Sequence, residues 1–377
     1  MVNVYQKSLS LHRKLRGKLE TTLKTPLRTK IDLSLVYTPG VAEPCRQIAK
    51  RPADIYKYTI KKNTIAVITD GTAILGLGNI GPAAGLPVME GKCCLFKKFG
   101  GVNAFPICIQ AKSPAEFIKT VKNISVGFGG INLEDIGAPH CFEIERTLIR
   151  ELDIPVFHDD QHGTAVVVLA GLINALWLAK REISSAKIVI LGAGAAGLSI
   201  AELLYEYGAK NILIVDTKGI IYEGREHMDS EKTRLAQMTN PRKIYGSLTD
   251  AMYGANVFIG VSRGGLVKPE MIKMMDNDPI VFTMANPEPE IMPEEAKKAG
   301  AYIIATGRSD FPNQINNVLG FPGIFRGALD KGIKKFTNEM FIRAAEALAK
   351  CMKNPTPEKI IPDPFDPKAH KAVARAI

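Results

Sequence analysis

Apolar positions along this chain fall into two rhythms, short unbroken runs of strand length and longer stretches with helical spacing. The runs at 65–69, 103–109, 188–191, 212–215, 257–261, 280–284 and 302–306 predict strands. Two Gly-containing stretches, 125–132 and 155–164, each hold a shorter one. Between them, 115–124, 143–152 and 338–352 read as helices, and 164–180 (TAVVVLAGLINALWLAK) is apolar nearly all round. Such a pattern predicts a buried helix, with Trp177 in the core. Residues 1–26 predict a basic helical opening whose apolar positions are Leu9, Leu11, Leu15 and Leu19, suited to packing or to a dimer contact. The stretch 70–87 reads as a Gly-rich loop, and a loop of that length is expected to line a site. The Pro-punctuated tail, 355–367, is expected to wrap over the surface.

The segment 187–216 is the most constrained. A strand ends at Gly192, and Gly192, Gly194 and Gly197 stand in G-x-G-x-x-G spacing before a helix that Gly208 stops. A second strand ends in Asp216, nineteen residues beyond Gly197. This is the β-α-β dinucleotide fingerprint: the first glycine allows the turn, the second lets a pyrophosphate approach, and the third lets helix pack on strand. The backbone of Gly192, Gly194, Ala195, Ala196 and Gly197 would then meet the diphosphate at a helix N-terminus. Asp216 is placed to accept from the adenosine ribose and favours NAD over NADP by repelling a 2′-phosphate, with Lys218 offsetting part of that repulsion. The copy at Gly76, Gly78 and Gly81 lacks the following strand and acidic residue, and reads as a loop.

Composition narrows the class without identifying the reaction. The chain has 377 residues, 46% hydrophobic and 23% charged, ordinary for about two globular domains. No signal-peptide pattern and no run of some 18 apolar residues appears, so the cytoplasm is the expected compartment and no membrane partner is implied. The six cysteines form no C-x-x-C pair and read as free thiols. The formal charge of +11 comes from scattered Lys and Arg, with no aromatic-interleaved basic stripe, which argues against nucleic acid and fits a small anionic substrate and cofactor.

Candidate chemistry sits at element ends. Glu134 and Asp135 follow one Gly-rich strand, and Asp159 and Asp160 end another. Four carboxylates at two strand ends would repel one another unless a cation or a lysine shared the space, and all-oxygen ligation suits Mg²⁺ or Mn²⁺. His158 and His162 stand four apart, but zinc would want a third nitrogen or sulfur ligand. Lys92, among apolar neighbours, either snorkels to water or is kept beside a carboxylate. Tyr37, before Thr38-Pro39-Gly40, reads by itself as a buried structural tyrosine. Asn286 lies at a strand's carboxyl edge, where ligands of open α/β sheets bind, and Asn316 and Asn317 precede an apolar turn.

Taken together, VYTPGVA (36–42), ITDGTAILGLGNIGPAAGLPVMEGK (68–92), GGINLEDI (129–136), VFHDDQHGTAVV (156–167), GAGAAG (192–197), ANPEPE (285–290) and NNVLGFPG (316–323) resemble the malic enzyme family in its short bacterial and archaeal form. The resemblance implies an α/β chain of two domains, an N-terminal malic domain (1–161) and a doubly wound Rossmann NAD(P)-binding domain (162–335), followed by a C-terminal helical segment and tail (336–377). It implies metal-dependent oxidative decarboxylation of L-malate to pyruvate, with NAD or NADP and Mn²⁺ or Mg²⁺ as cofactors, in a homodimer. Residue by residue it makes Tyr37 the general acid and Lys92 the general base, Asp159 the partner of Lys92, and Glu134, Asp135 and Asp160 the metal ligands. Asn286 and Asn317 would hold the substrate carboxylate or the nicotinamide ribose. Ala73 stands where longer members carry an arginine, so another group must meet the substrate carboxylate. Another two-domain dehydrogenase, such as an amino-acid dehydrogenase, would not need the acidic triad, and a non-catalytic nucleotide sensor would not need Tyr37 and Lys92.

Overall fold

The computed structural model describes residues 4–377, so the first three residues of the opening segment lie outside the described ones. Strands β1 (Thr64–Thr69), β2 (Asn103–Cys108), β3 (Gly130–Leu133) and β4 (Val156–His158) form a parallel sheet in the order β2-β1-β3-β4. A second sheet contains β5 (Lys187–Leu191), β6 (Asn211–Asp216), β7 (Gly219–Ile220), β8 (Val257–Gly260), β9 (Ile280–Thr283) and β10 (Ile303–Thr306). Its order is β10-β9-β8-β5-β6-β7, parallel throughout except for β7 at the edge.

Alternation along β5 shows why this sheet is covered on both faces. Ile188 and Ile190 enter the large apolar core that runs through both domains, whereas Val189 and Leu191 enter a second core with Leu213, Phe258 and Val281. Because β6 and β8 flank β5, the strand order reverses there, which opens a crevice beyond the carboxyl ends. The helix Thr164–Leu178 lies in the large core with the helices Ala195–Glu206 and Asn338–Ala349 packed on it. The 159–178 stretch passes for a membrane span by length and composition, yet 72% of its apolar window is buried inside the molecule. The domain boundary expected at 161/162 falls inside the helical turn Asp159–Gly163 that leads into this helix.

Three expectations are corrected. The Gly-rich loop ends at Gly81, and Pro82 opens the helix Pro82–Leu95, where its missing N–H costs nothing, so Lys92 is helical. Trp177 is 66% exposed, because it sits in the last turn of its helix, past the neighbours that cover the rest. The tail does not simply wrap the surface. Ile360 and Ile361 are buried, and the helix Pro367–Ala376 tucks Ala369 and Val373, four apart, into the large core.

Candidate active site

The carboxyl ends of β3 and β4 deliver the acidic residues. Glu134 and Asp135 directly follow β3, Asp159 and Asp160 directly follow β4, and β3 pairs with β4, so the four carboxylates converge. Asp135 holds a left-handed φ of 54°, a conformation Asp tolerates better than most residues, and its N–H donates to Asp160 Oδ2 at 2.9 Å. Ligand oxygens of Glu134, Asp135 and Asp160 all lie within 4.8 Å of one another. Burial, then the neighbouring carboxylates, push Asp135 up to about 7 and Glu134 well above its usual range, against the pull of Lys92.

Lys92 enters this cluster from its helix and is 7% exposed, so it does not snorkel. Its ammonium bonds Asp159 Oδ2, lies 2.9 Å from Glu134 Oε1, and rests 4.3 Å over the Phe321 ring. Burial opposes the charge, but Asp159 and Glu134 outweigh it and raise the lysine's pKa. The Asn317 amide also donates to Asp159 Oδ2, from the turn between β10 and the helix Phe321–Lys331. One buried carboxylate thus ties a residue of each domain.

Asp135 Oδ2 and Asp159 Oδ1 are buried without any hydrogen-bond partner. Two orphan carboxylate oxygens beside a triad of oxygen donors fit a hard divalent cation, which would satisfy them and offset the repulsion. The zinc alternative finds no support: among the described residues Glu134, Asp135 and Asp160 are the group with metal-holding geometry. His162 turns instead to Glu145, its Nε2 3.0 and 3.1 Å from the two carboxylate oxygens, while His158 is buried in strand β4.

The nucleotide motif has the geometry its spacing predicts. Gly192 has φ +117°, and a Cβ there would stand 2.6 Å from the Val261 carbonyl oxygen. A Cβ on Gly197 would strike Gly192 O at 1.8 Å, whereas one on Gly194 would meet nothing within 4 Å, the open approach a pyrophosphate needs. Ala195 and Ala196 begin the helix behind it. Asp216 lines the same cleft of about 870 Å³, with Gly192, Lys218, Lys232 and Thr249. Asn286 is exposed on the loop after β9, where its carbonyl lies close against Gly76 of the Gly-rich loop.

Tyr37 is not brought into the cluster. It caps the short helix Lys30–Val36 and is 67% exposed, which overturns the expectation of a buried tyrosine. Every hydrogen bond of residues 28–50 among the described residues stays within the segment 28–51, so no hydrogen bond ties this arm to the rest of its own chain.

Sequence reasoning missed two buried glutamates. Glu145 accepts from the His158 N–H at 2.8 Å and from Gln161 Nε2 at 3.0 Å, and Ser199 donates to Gln161 Oε1 at 3.3 Å, which links the 159–163 turn to the nucleotide-binding helix. Glu290 accepts from the Ser262 and Ala285 amides, tying the ends of β8 and β9. Each looks in the sequence like an ordinary charged position in a helix or loop.

Comparison with known proteins adds an independent line. The model of the malic enzyme N-terminal domain matches residues 16–149, and that of the malic enzyme NAD-binding domain matches 161–366. The bifunctional malic/malolactic enzyme of Bacillus subtilis is 53% identical, over 100% of this chain and 92% of its own. The NAD-dependent malic enzyme of Geobacillus stearothermophilus is 52% identical, over 100% and 79%. The NADP-dependent malic enzyme of Halomonas elongata is 50% identical, over 94% and 84%. The crystal structure of malic enzyme from Pyrococcus horikoshii superposes with a TM-score of 0.96 at 50% identity, covering 99% of this chain and 89% of that one. Both domain models, relatives matched over 79–92% of their own length and a two-sheet fold with an acidic, lysine-bearing cleft agree, and they carry the malic reading over the dehydrogenase and sensor alternatives: the chain belongs to the malic enzyme family.

Proposed function

We propose that the protein oxidatively decarboxylates L-malate to pyruvate and CO₂, reducing NAD⁺ or NADP⁺, with Mn²⁺ or Mg²⁺ held by Glu134, Asp135 and Asp160. The observation that carries this reading is the buried Lys92 between Asp159 and Glu134, with a three-carboxylate site beside it. A divalent cation, when bound, polarises the C2 oxygen of the substrate and offsets the carboxylate charge that otherwise keeps Lys92 protonated. The NAD⁺ or NADP⁺ that Gly192, Gly194 and Gly197 would hold would supply the hydride acceptor for C2.

The chain's own groups do the remainder. Lys92 takes the proton of the malate C2 hydroxyl as C2 is oxidised to a carbonyl β to the departing carboxylate. Asp159, fixed by Lys92 and Asn317, keeps the ammonium aimed and receives its charge. Once CO₂ has left, Tyr37 protonates C3 of the enolate and gives pyruvate. Its exposure in the single chain supports an arm covered by a second copy, and the apolar groups beside it, Leu23, Leu27, Ile31, Leu33 and Leu35, are exposed too. We therefore place the active form as a homodimer, and six free cysteines support a reducing, cytoplasmic compartment.

The test is malate-dependent reduction of NAD⁺ and NADP⁺, with and without Mn²⁺, in the wild type and Lys92→Ala, with pyruvate followed in parallel. Metal-dependent pyruvate formation that falls by about 10³-fold or more in Lys92→Ala is expected. Reduction that ignores metal, or malate left unturned while dinucleotide still binds, would sink the proposal.

A further inference from the structure

The adenosine end of the cleft differs from what an acidic residue at a strand end leads one to expect, because the acceptor positions of Asp216 are already taken. Oδ1 accepts from the Lys218 N–H at 2.9 Å and from Arg225 Nη1 at 2.9 Å. Oδ2 accepts from Arg225 Nη2 at 2.6 Å and lies 3.3 Å from Lys232 Nζ. A carboxylate offers about four acceptor positions, and here donors occupy all of them. A ribose diol, which recognises such a carboxylate by donating to it, finds no vacant partner.

The charge points the same way. Arg225 and Lys232 stand against Asp216 and Asp229, the latter 3.7 Å from Lys232 Nζ, and Lys218, which lines the cleft, makes the corner net positive. Arg225 cannot swing aside cheaply. Its side chain is 8% exposed, and Nη1 also donates to Gly219 O at 3.1 Å and Ile220 O at 3.4 Å. The arginine therefore cancels Asp216 from behind, while Lys218 and Lys232 line the cleft itself.

We infer that this corner is built for a 2′-phosphorylated adenosine, so that the chain takes NADP⁺ in preference to NAD⁺, Lys232 and Lys218 supplying the cleft-side charge and Arg225 serving as a positioning residue. The inference rests on the dinucleotide reading of 187–216 and reverses the NAD preference that Asp216 by itself suggests. A doubly charged phosphate gains charge-assisted hydrogen bonds there, and a hydroxyl does not.

Isothermal titration of the full chain with 2′,5′-ADP and with 5′-AMP, without malate or metal, reads this corner apart from catalysis. Wild type should bind 2′,5′-ADP at least about tenfold more tightly than 5′-AMP, the scale of one charge-assisted contact. Lys232→Met should reduce 2′,5′-ADP affinity by about tenfold and leave 5′-AMP within about threefold. Arg225→Met should lower 2′,5′-ADP affinity as well, because Asp216 regains its repulsion; should that variant fail to fold, Lys232→Met decides. Equal affinity for the two probes in the wild type, or an unchanged ratio in Lys232→Met, overturns the inference. Binding of neither probe overturns it through the dinucleotide reading beneath it, while malate turnover with NAD⁺ would still be measured separately.

Discussion

Asp159 is the most constrained single residue of the site, and its constraint comes partly from a neighbour with no side chain. A Cβ on Gly163 would stand 1.9 Å from Asp159 Oδ1 and 3.3 Å from Asn317 Cβ. Asp159 cannot turn away, since Oδ2 is held by both Lys92 and Asn317. Gly163→Ala is therefore expected to displace the carboxylate and lower kcat/KM for malate by about 10²-fold, the scale of an ångström of misplacement. An unchanged kcat/KM would show that the placement of Asp159 does not matter. Asp216 offers a pH signature. Burial works against its charge, but hydrogen bonds from Arg225 and the Lys218 amide win and lower its pKa to about 2. A depressed carboxylate contributes stability that is present above its unfolded value of about 3.9 and is lost as pH falls through the folded value. The stability gap between wild type and Arg225→Met should thus be full above about pH 4 and close toward pH 2. Urea titrations at several pH values would show it, and a gap independent of pH would refute the linkage.

At the scale of elements, the helix His140–Glu151 holds the turn Asp159–Gly163 in place through one buried carboxylate. Burial disfavours the charge of Glu145, yet His162 and the His158 amide pull its pKa below the usual range. The ring of His162 also stacks on Phe341, centroids 4.8 Å apart, so the turn is gripped from two sides. Removing the acceptor leaves several buried donors unsatisfied, so Glu145→Ala should cost about 3 kcal/mol of stability and depress malate turnover with it. A loss under about 1 kcal/mol in denaturant titration would mean that water replaces the carboxylate readily. Legibility of the elements followed the local physics. Strands β5, β6, β8, β9 and β10 are apolar runs bounded by turns, and the glycines of 192–197 mark the nucleotide turn by spacing alone. Pro82 at the first helical position is a local start signal that the Gly-rich surroundings masked, whereas the exposure of Trp177 and the burial of Ile360 and Ile361 depend on what packs against them, which no local pattern encodes. Lys92 is the sharpest case: its apolar flanks permit either fate, and the carboxylates that decide between them lie 42 and 67 positions further along the chain.

For the whole molecule, one apolar core crosses from the first sheet to the second through Phe96, Phe157, Phe321 and Phe325, so the two domains bury a common interior. The arm that carries Tyr37 takes no part in that core. The helices Lys30–Val36 and Ala42–Lys50 contain no buried residue, and a proton donor left in open water could not protonate an enolate selectively. In the proposed homodimer, a closed two-fold pair would let each arm lie on the other copy, covering the apolar groups and carrying Tyr37 to the partner's site. That arrangement has a numerical consequence. If each site combines Lys92 of one subunit with Tyr37 of the other, mixing inactive Tyr37→Phe and Lys92→Ala chains and allowing them to exchange makes half the dimers heterodimers. Each heterodimer regains one of its two sites, so random closed pairing predicts recovery of about a quarter of wild-type activity. If Tyr37 serves its own chain, every site in the mixture lacks a residue and no activity returns. Sedimentation of the mixture would confirm that exchange had occurred, so a failure to recover activity in exchanged dimers would count against the shared site itself.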